Sequence, residues 1–530
     1  MATPKGIART IIVITTVTAA IMELIDTSIV NVALTDMSGS LGVSIEDISW
    51  VITAYAIANV IIIPLTGFLA EYFGRKNYYV VSMIIFTIAS YMCGQSNSLV
   101  EIIAWRFIQG IGGGALLSTS QAILFDAFET KDRPIASGLF GMGLVLGPTL
   151  GPTLGGYIME HFSWPLIFMI NIPIGIIATI LTITFIDKKE GEGTKKKEIK
   201  IDYTGILLLM VGVGTLQFVL ERGDADDWFA SNAIRICSVL ALIGMAGFIW
   251  YELSIKNPAV NLRVLNNRNL ALTTIFTFVV GLGLFTSVFV FPVLAQRTLG
   301  YSSYETGLTL LAPTMLTVIM MPIIGKVMSK GVSPIPFVVT GFLLFAAYCY
   351  VSAGVSPDVN KSDFFFPLAL RAVGISMVQL PLINQAVAGL QPKDYASGIS
   401  LNNMIRQLGG AFGIALANNY ISHQYAQHRT DLVTNLGEGS AQLTERVNNM
   451  AQNFIGQSGL DPATASTKAY AMINAAVDKQ AYYLSYLDTF RLIGIFFILV
   501  IPLVAFLRVN KKTASPADAA AVKAAIAESH

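Results

Sequence analysis

The chain has 530 residues, 54% of them hydrophobic and only 13% charged, with a net charge of +1 and a mean hydropathy of +0.63. Water-soluble domains carry about 25% charged residues, so water is not this chain's only solvent, and the near-zero net charge argues against a nucleic-acid partner. Cys93, Cys237 and Cys349 lie far apart in apolar runs, which gives neither a disulfide framework nor a metal-ligand spacing.

Apolar runs of about 20 residues, the length that crosses a bilayer, recur along the chain. They predict fourteen spans near 10–34, 50–71, 77–95, 99–122, 137–159, 165–186, 203–221, 233–252, 270–295, 305–325, 335–354, 363–388, 397–421 and 484–508. The fold class expected is therefore an all-α integral membrane protein. The first span has a short basic lead but no small-residue cleavage site, so it reads as an uncleaved span. With the N-terminus inside, the inner segments collect about 22 Lys and Arg, against Arg222, Arg297 and Lys361 in the short outer loops. Both termini are then expected on the cytoplasmic side of the plasma (inner) membrane.

Span 1 contains IMELIDTSIVNVAL, with Glu23 and Asp26 three residues apart and Asn31 beyond them. Asp26 lies roughly 25 Å along a helix from Arg9, near the bilayer midplane. A carboxylate at that depth is costly unless it meets a wet cavity or a partner. Desolvation and a neighbouring acid both favour the protonated form. The pair can then hold a proton that a lipophilic cation displaces, so that one charge couples two fluxes. The alternative is a structural ion pair between Asp26 and Arg106 of span 4, and the two readings are compatible in different states.

Gly74 follows span 2 and can end it, and Arg75 and Lys76 fit the positive-inside pattern. Span 5 carries Gly138, Gly147, Gly151, Pro152, Gly155 and Gly156. The stripe Gly138, Gly147, Gly151, Gly155 lets another helix approach closely, and Pro148 and Pro152 remove amide donors and can bend the helix. Residues 187–200 read as a charged, solvated linker. In the second half no deep carboxylate is expected. Gln379, Asn384 and Arg406, like Tyr55 and Asn31 in the first half, are candidates to contact a substrate or to bridge helices. Residues 422–483 form a polar outer excursion, expected as short amphipathic helices broken at Gly437, Gly456 and Asp461-Pro462.

The chain also repeats itself. PLTGFLAEYFG from Pro64 matches PIIGKVMSKG from Pro322, Arg106 with Gln121-Ala122 matches Arg371 with Gln385-Ala386, and KDRPIASG from Lys131 matches KDYASG from Lys393, all at an offset near 260 residues. Spans 1–6 thus correspond to spans 9–14, with spans 7 and 8 inserted. The expected organisation is a six-helix bundle over 1–187, a charged linker with two inserted helices over 188–265, a second six-helix bundle over 266–510, and a cytoplasmic tail over 511–530. Such duplication is a transporter plan with cargo bound between the halves.

These features resemble the major facilitator superfamily. GFLAEYFGRKN resembles its GxLaDrxGrk loop, with Glu71 for the usual Asp and Tyr72 for the usual base. RFIQGIGGG resembles its RxxQGxG motif, and the span 5 glycines resemble its antiporter motif. Fourteen spans, LIDTSIVNVAL in span 1 and NNMIRQLGGAFGIAL in span 13 resemble the drug:proton antiporter-2 family of EmrB/QacA type, and the long outer loop resembles its EmrB branch. The resemblance implies a major facilitator fold and proton-coupled export of amphipathic, cationic drugs by alternating access, with resistance as its outcome. Export of anionic or lipid-like compounds, such as fatty acids or bile salts, is the alternative; a non-transport sensor ranks below both. It implies that Gly67, Glu71, Gly74 and Arg75 hold the inner side together and that the span 5 glycines gate. It also implies a periplasmic adaptor and an outer-membrane channel docking on 422–483, against a lid over the outer mouth. No enzyme motif, nucleotide loop, cofactor or metal site is expected.

Overall fold

The computed structural model describes residues 6–129, 131–187, 201–256, 258–356, 360–388, 390–391, 394–436 and 441–507. The linker lysines, Lys393, Gly437 and the tail lie outside the described residues. Those described are helical or in connecting turns, with no strand among them. Helices are what uniformly apolar runs must form in oil, since each satisfies its own backbone.

The principal helices are α1 (Ile7–Leu41), α2 (Trp50–Phe73), α3 (Arg75–Gln95), α4 (Leu99–Asp126), α5 (Arg133–His161), α6 (Asn171–Phe185), α7 (Tyr203–Arg222), α8 (Asn232–Ser254), α9 (Arg268–Leu294), α10 (Ser303–Ser329), α11 (Pro334–Ser352), α12 (Phe365–Gln385), α13 (Tyr395–Leu436), α14 (Ala441–Ser458) and α15 (Pro462–Val500). Thirteen helices among the described residues are long and apolar enough to cross a membrane. The count differs from fourteen at α13. Its backbone is helical throughout the expected span 13, but Asn402, Asn403, Arg406 and Gln407 make that stretch too polar to count as an apolar span.

Contacts repeat with an eight-helix offset. The pairs α1–α5, α2–α4 and α3–α4 recur as α9–α13, α10–α12 and α11–α12, and the α3–α6 contact recurs as α11–α15, one helix further on because α14 is interposed. The two halves meet through α5 on α10 and α2 on α13, which are themselves repeat-related pairs. The inserted helices α7 and α8 pack on each other, and α7 leans on α2 and α13. Arg222 at the end of α7 holds this arrangement by donating to the Glu46 carbonyl at 2.7 Å and Ser49 Oγ at 2.5 Å.

The α5 glycines explain how close the helices come. A β-carbon at Gly151 would sit 2.9 Å from the Ile29 amide nitrogen of α1, and one at Gly155 3.2 Å from the Ile29 carbonyl oxygen. Gly147 faces Leu24 of the same helix. Gly138 and Gly156 instead face α10, with β-carbon positions 2.8 Å from the Met321 carbonyl oxygen and 2.7 Å from the Tyr304 nitrogen. The α5 helix therefore touches α1 on one stripe and the other half of the molecule on another. It runs unbroken through Pro148 and Pro152, whose missing N–H groups leave the Leu144 and Pro148 carbonyls without their ladder donors. Gly156→Ala should lower thermal stability by about 1–3 kcal/mol through overpacking of the seam, measured as a shifted unfolding midpoint in detergent.

On the face where α1 begins, Gly74 takes φ 83° between α2 and α3, a conformation that favours glycine. The turn directs Arg75 to the end of α4, where it pairs with Asp126. Of the residues that the resemblance places in the inner network, Arg75 thus ties α3 to α4. Glu71 stays exposed on the last turn of α2 and makes no ion pair among the described residues. Gly67 lies against Ser397 of α13, so its contact is between halves. Arg75→Ala should cost little stability, about 1 kcal/mol or less for a part-exposed pair; thermal unfolding checks it.

At the distal face residues 422–483 form the expected short helix, α14, and break as expected at Asp461-Pro462, but Gly456 makes no break and the flanking segments are extensions of α13 and α15. The 42 residues of α13 make it about 63 Å long and the 39 of α15 make it about 58 Å, against a hydrocarbon core of about 30 Å. Both continue well past the membrane. They are tied by Arg429 to Asp478 at 2.8 Å, Tyr425 to Asp478 at 2.9 Å and a stacked Tyr425–Tyr482 pair. Between them α14 runs through Gly456 without a break and packs Val447 and Ala451 on Ala465 and Ala469 of α15. Asp461 starts α15 by accepting from the Ala463 and Thr464 amides.

Candidate functional site

The α1 carboxylates are both buried, but they face different partners. Three residues turn a helix by about 300°, which leaves roughly 60° between the side chains. Asp26 points toward α4 and α6. Its Oδ2 accepts from Arg106 at 2.5 Å, and its Oδ1 accepts from Gln109 Nε2 at 2.9 Å and Asn171 Nδ2 at 2.8 Å. Ser90 of α3 accepts from the same Gln109 and Asn171 amides and donates to the Phe168 carbonyl at 3.0 Å. Arg106 also donates to the Val51 carbonyl and to Gln109 Oε1, and its guanidinium lies 4.2 Å from the centre of the Tyr55 ring. The ion-pair reading of Asp26 therefore holds in this conformation, and both of its oxygens are occupied.

Glu23 points toward α2. Its Oε1 accepts from Asn59 Nδ2 at 2.9 Å and from the Tyr55 hydroxyl at 3.4 Å, while Oε2 has no hydrogen-bond partner among the described residues. Glycines in α4 make room for this wall. A β-carbon at Gly110 would lie 2.6 Å from the Tyr55 carbonyl oxygen, and a side chain at Gly113 would run into the Tyr55 hydroxyl. The RxxQGxG run thus supplies two charge partners and a flat surface for α2.

A second group of buried polar residues lies at the seam between the halves, on α9, α12 and α13. A narrow cleft is lined by Leu144 of α5 together with Thr277, Gln379, Asn402, Asn403 and Arg406. Arg406 is 3% exposed, and none of its three side-chain nitrogens has a hydrogen-bond partner among the described residues. The same holds for both amide atoms of Gln379, for Asn402 Oδ1 and for Thr277 Oγ1. Asn403 crosses to the first half, donating to Ser118 Oγ at 3.1 Å and Gln121 Oε1 at 3.3 Å. The cleft has about 10 Å³ of space for the centre of a water molecule, which is room for about one water. The halves are closed on one another here, and any larger occupant requires them to separate.

Of the candidates from sequence, Glu23, Asp26, Tyr55 and Arg106 come together in the first half, and Gln379 and Arg406 in the second. Asn384 stands apart, accepting from Ser137 of α5 at 2.9 Å as an inter-half bridge. Asn31 is exposed and donates to the Ser28 carbonyl of its own helix at 3.3 Å. Asn59, Ser90 and Asn171 were not singled out from sequence. Asn59 and Asn171 carried the one available signal, a lone amide in an apolar helix.

The sequence model of the Major Facilitator Superfamily matches residues 16–414. The fatty acid resistance protein FarB of Neisseria gonorrhoeae is 32% identical, over 94% of this chain and 96% of its own length. The multidrug export protein EmrB of Escherichia coli (strain K12) is 32% identical over 84% of each chain. Among solved structures, the human organic anion transporter MFSD10 superposes with a TM-score of 0.57 at 14% identity, covering 94% of this chain and all of its own. A bacterial homologue of the human lysosomal transporter Spinster gives 0.53 at 13% identity, covering 96% of this chain and all of its own. The two structures speak to the fold alone.

Proposed function

The chain belongs to the Major Facilitator Superfamily, and on that premise we propose that it is a proton-coupled exporter of amphipathic, cationic compounds. The observation that carries the proposal is Glu23, a buried carboxylate with one unpartnered oxygen, beside the Tyr55 hydroxyl. That oxygen can take a proton or the charge of a cation, but not both. A cation arriving from one side releases the proton there, and a proton arriving from the other side releases the cation. Asp26 and Arg106 form the fixed pair that orients α1 against α4. The glycine stripes of α5 supply the surface on which α1 and α10 slide or rock. One proton exchanged for one monovalent cation moves no net charge, so the pH gradient supplies the drive, about 1.4 kcal/mol per pH unit, and no nucleotide is required.

In this reading 1–187 and 266–510 are the two moving bundles and 188–265 is the inserted segment. The protein resides in the plasma (inner) membrane with both termini cytoplasmic, supported by Arg9, Arg75, Arg263 and Lys326 on the described face where α1 begins. The multidrug export relative supports the cargo class. The fatty acid resistance relative, together with the unpaired Arg406, favours the second reading, export of anionic amphiphiles. Proteoliposomes loaded with a fluorescent lipophilic cation should accumulate or expel it against its gradient when a pH step is imposed. Flux indifferent to the pH step would remove the antiport reading.

The projecting parts of α13, α14 and α15 are proposed as the dock for a periplasmic adaptor that leads to an outer-membrane channel, supported by their reach beyond the bilayer and by exposed Val433, Tyr470 and Met472. Replacing 425–480 by a short linker should abolish adaptor capture and leave liposome flux intact. Loss of flux instead identifies a lid.

A further inference from the structure

We propose that the cleft around Arg406, once the halves part, joins Glu23 across the seam to make a two-charge site for zwitterionic amphiphiles, with Glu23 taking the ammonium end of the cargo and Arg406 its carboxylate or sulfonate end. The inference rests on the exporter reading and extends it to the second half of the molecule.

The argument starts from the buried cation. Removing a guanidinium from water without a counter-charge and without hydrogen bonds is strongly unfavourable. The first half solves this problem for Arg106 with Asp26, Gln109 and a carbonyl. The second half supplies no such partner for Arg406. Its three nitrogens stand beside Gln379, whose amide is free at both ends, and beside the free Asn402 carbonyl oxygen and Thr277 hydroxyl. Arg406 and Gln379 together offer several N–H donors in one small space, the complement of an anionic oxygen group held by two or more bonds. The adjoining Asn402 oxygen and Thr277 hydroxyl can hold the water or amide that such a group brings with it.

The anion is one end only. Glu23 is bonded to Asn59 and Tyr55 of α2, and α2 packs across the seam on α13, the helix that carries Arg406; the charges around Glu23 are Arg406 and Asp26, and Asp26 is already balanced by Arg106. Glu23 and Arg406 therefore sum to no net charge. A purely cationic cargo satisfies Glu23 and leaves Arg406 bare; a purely anionic one does the reverse. A molecule carrying both charges satisfies both groups and bridges the seam that Asn403 now closes through Ser118 and Gln121. Proton bookkeeping is unchanged. The ammonium displaces one proton from the Glu23 carboxyl to the solvent on the loading side, and the carboxylate meets a guanidinium that keeps its charge throughout.

The test uses the full chain in lipid nanodiscs and three fluorescent naphthyl probes of matched size, bearing an ammonium, a carboxylate, or both at opposite ends. The zwitterion should bind at least about tenfold tighter than either singly charged probe. Arg406→Gln should weaken the zwitterion and the carboxylate probe by about 30-fold or more, and leave the ammonium probe unchanged. Glu23→Gln should do the converse. Should Arg406→Gln fail to fold, Gln379→Leu gives the same discrimination with a smaller loss. A zwitterion that binds no tighter than the ammonium probe overturns the proposal, as does a zwitterion affinity indifferent to both second-half variants. If the ammonium probe still exchanges with a proton in that case, the exporter reading stands and the two-charge site alone is lost. If no probe moves a proton, the exporter reading itself is lost.

Discussion

Glu23→Gln should abolish the proton released when a lipophilic cation binds, from as much as one per molecule in the native chain to none. The glutamine amide fits the site. Its oxygen keeps the bonds from Asn59 and Tyr55, and its nitrogen takes the place of the oxygen that has no partner. Folding should therefore survive while the exchangeable charge disappears. Calorimetric titration of the cation in two buffers of different ionisation enthalpy counts the protons directly. In liposomes the same variant should lose uphill transport and retain, at most, movement down the cargo gradient. The lost drive is that of the pH gradient, about 1.4 kcal/mol per pH unit, or roughly a tenfold cargo gradient per unit, because one proton exchanged for one monovalent cation moves no net charge. A variant that still releases a proton on binding would transfer the exchange to Asp26.

The roles of the two acids could not be separated from sequence. Their depth was legible from distance to the basic lead, and the pairing of Asp26 with Arg106 was one of two open readings. What distinguishes them is about 60° of helix rotation and the identity of the helices on either side, which only packing decides. Asn59, Ser90 and Asn171 were hidden for a related reason. A single amide or hydroxyl in an apolar span is as consistent with bonding its own helix as with a partner elsewhere, and Asn31 does bond its own helix.

Gly138, Gly147, Gly151, Gly155 and Gly156 were visible as close-approach positions, yet their spacing does not say that 147, 151 and 155 meet α1 while 138 and 156 meet α10. In 422–483 the break at Asp461-Pro462 was legible and the continuity of α13 and α15 was not, because leaving the membrane changes composition without changing backbone conformation. The residues after Ile421 are polar but remain helical, clamped by Arg429 and Tyr425 to Asp478. Gly456 costs α14 about 1 kcal/mol relative to alanine, too little to break a helix that buries Val447 and Ala451. Nothing in the sequence ties Arg75 to the acid at the end of α4. The turn at Gly74 selects Asp126 over Glu71.

Asp26→Asn should have the largest effect on stability, about 3–5 kcal/mol, because it leaves the Arg106 guanidinium buried with no counter-charge. The loss compounds. An asparagine at this position can present only one oxygen, whereas Arg106, Gln109 and Asn171 all donate, so at least one donor is left facing another. The double variant Asp26→Asn, Arg106→Gln removes both charges and should regain part of the loss, giving a coupling energy of roughly 2 kcal/mol or more in a double-mutant cycle read from unfolding midpoints. Because the same midpoints can be measured with and without bound cation, the cycle also assigns function. If the pair is structural, the double variant, once folded, still releases a proton when cation binds, because Glu23 is untouched. If proton release vanishes in the double variant while the Glu23→Gln variant keeps it, the pair opens during the cycle, and Asp26 carries the proton that Arg106 holds off in the closed state.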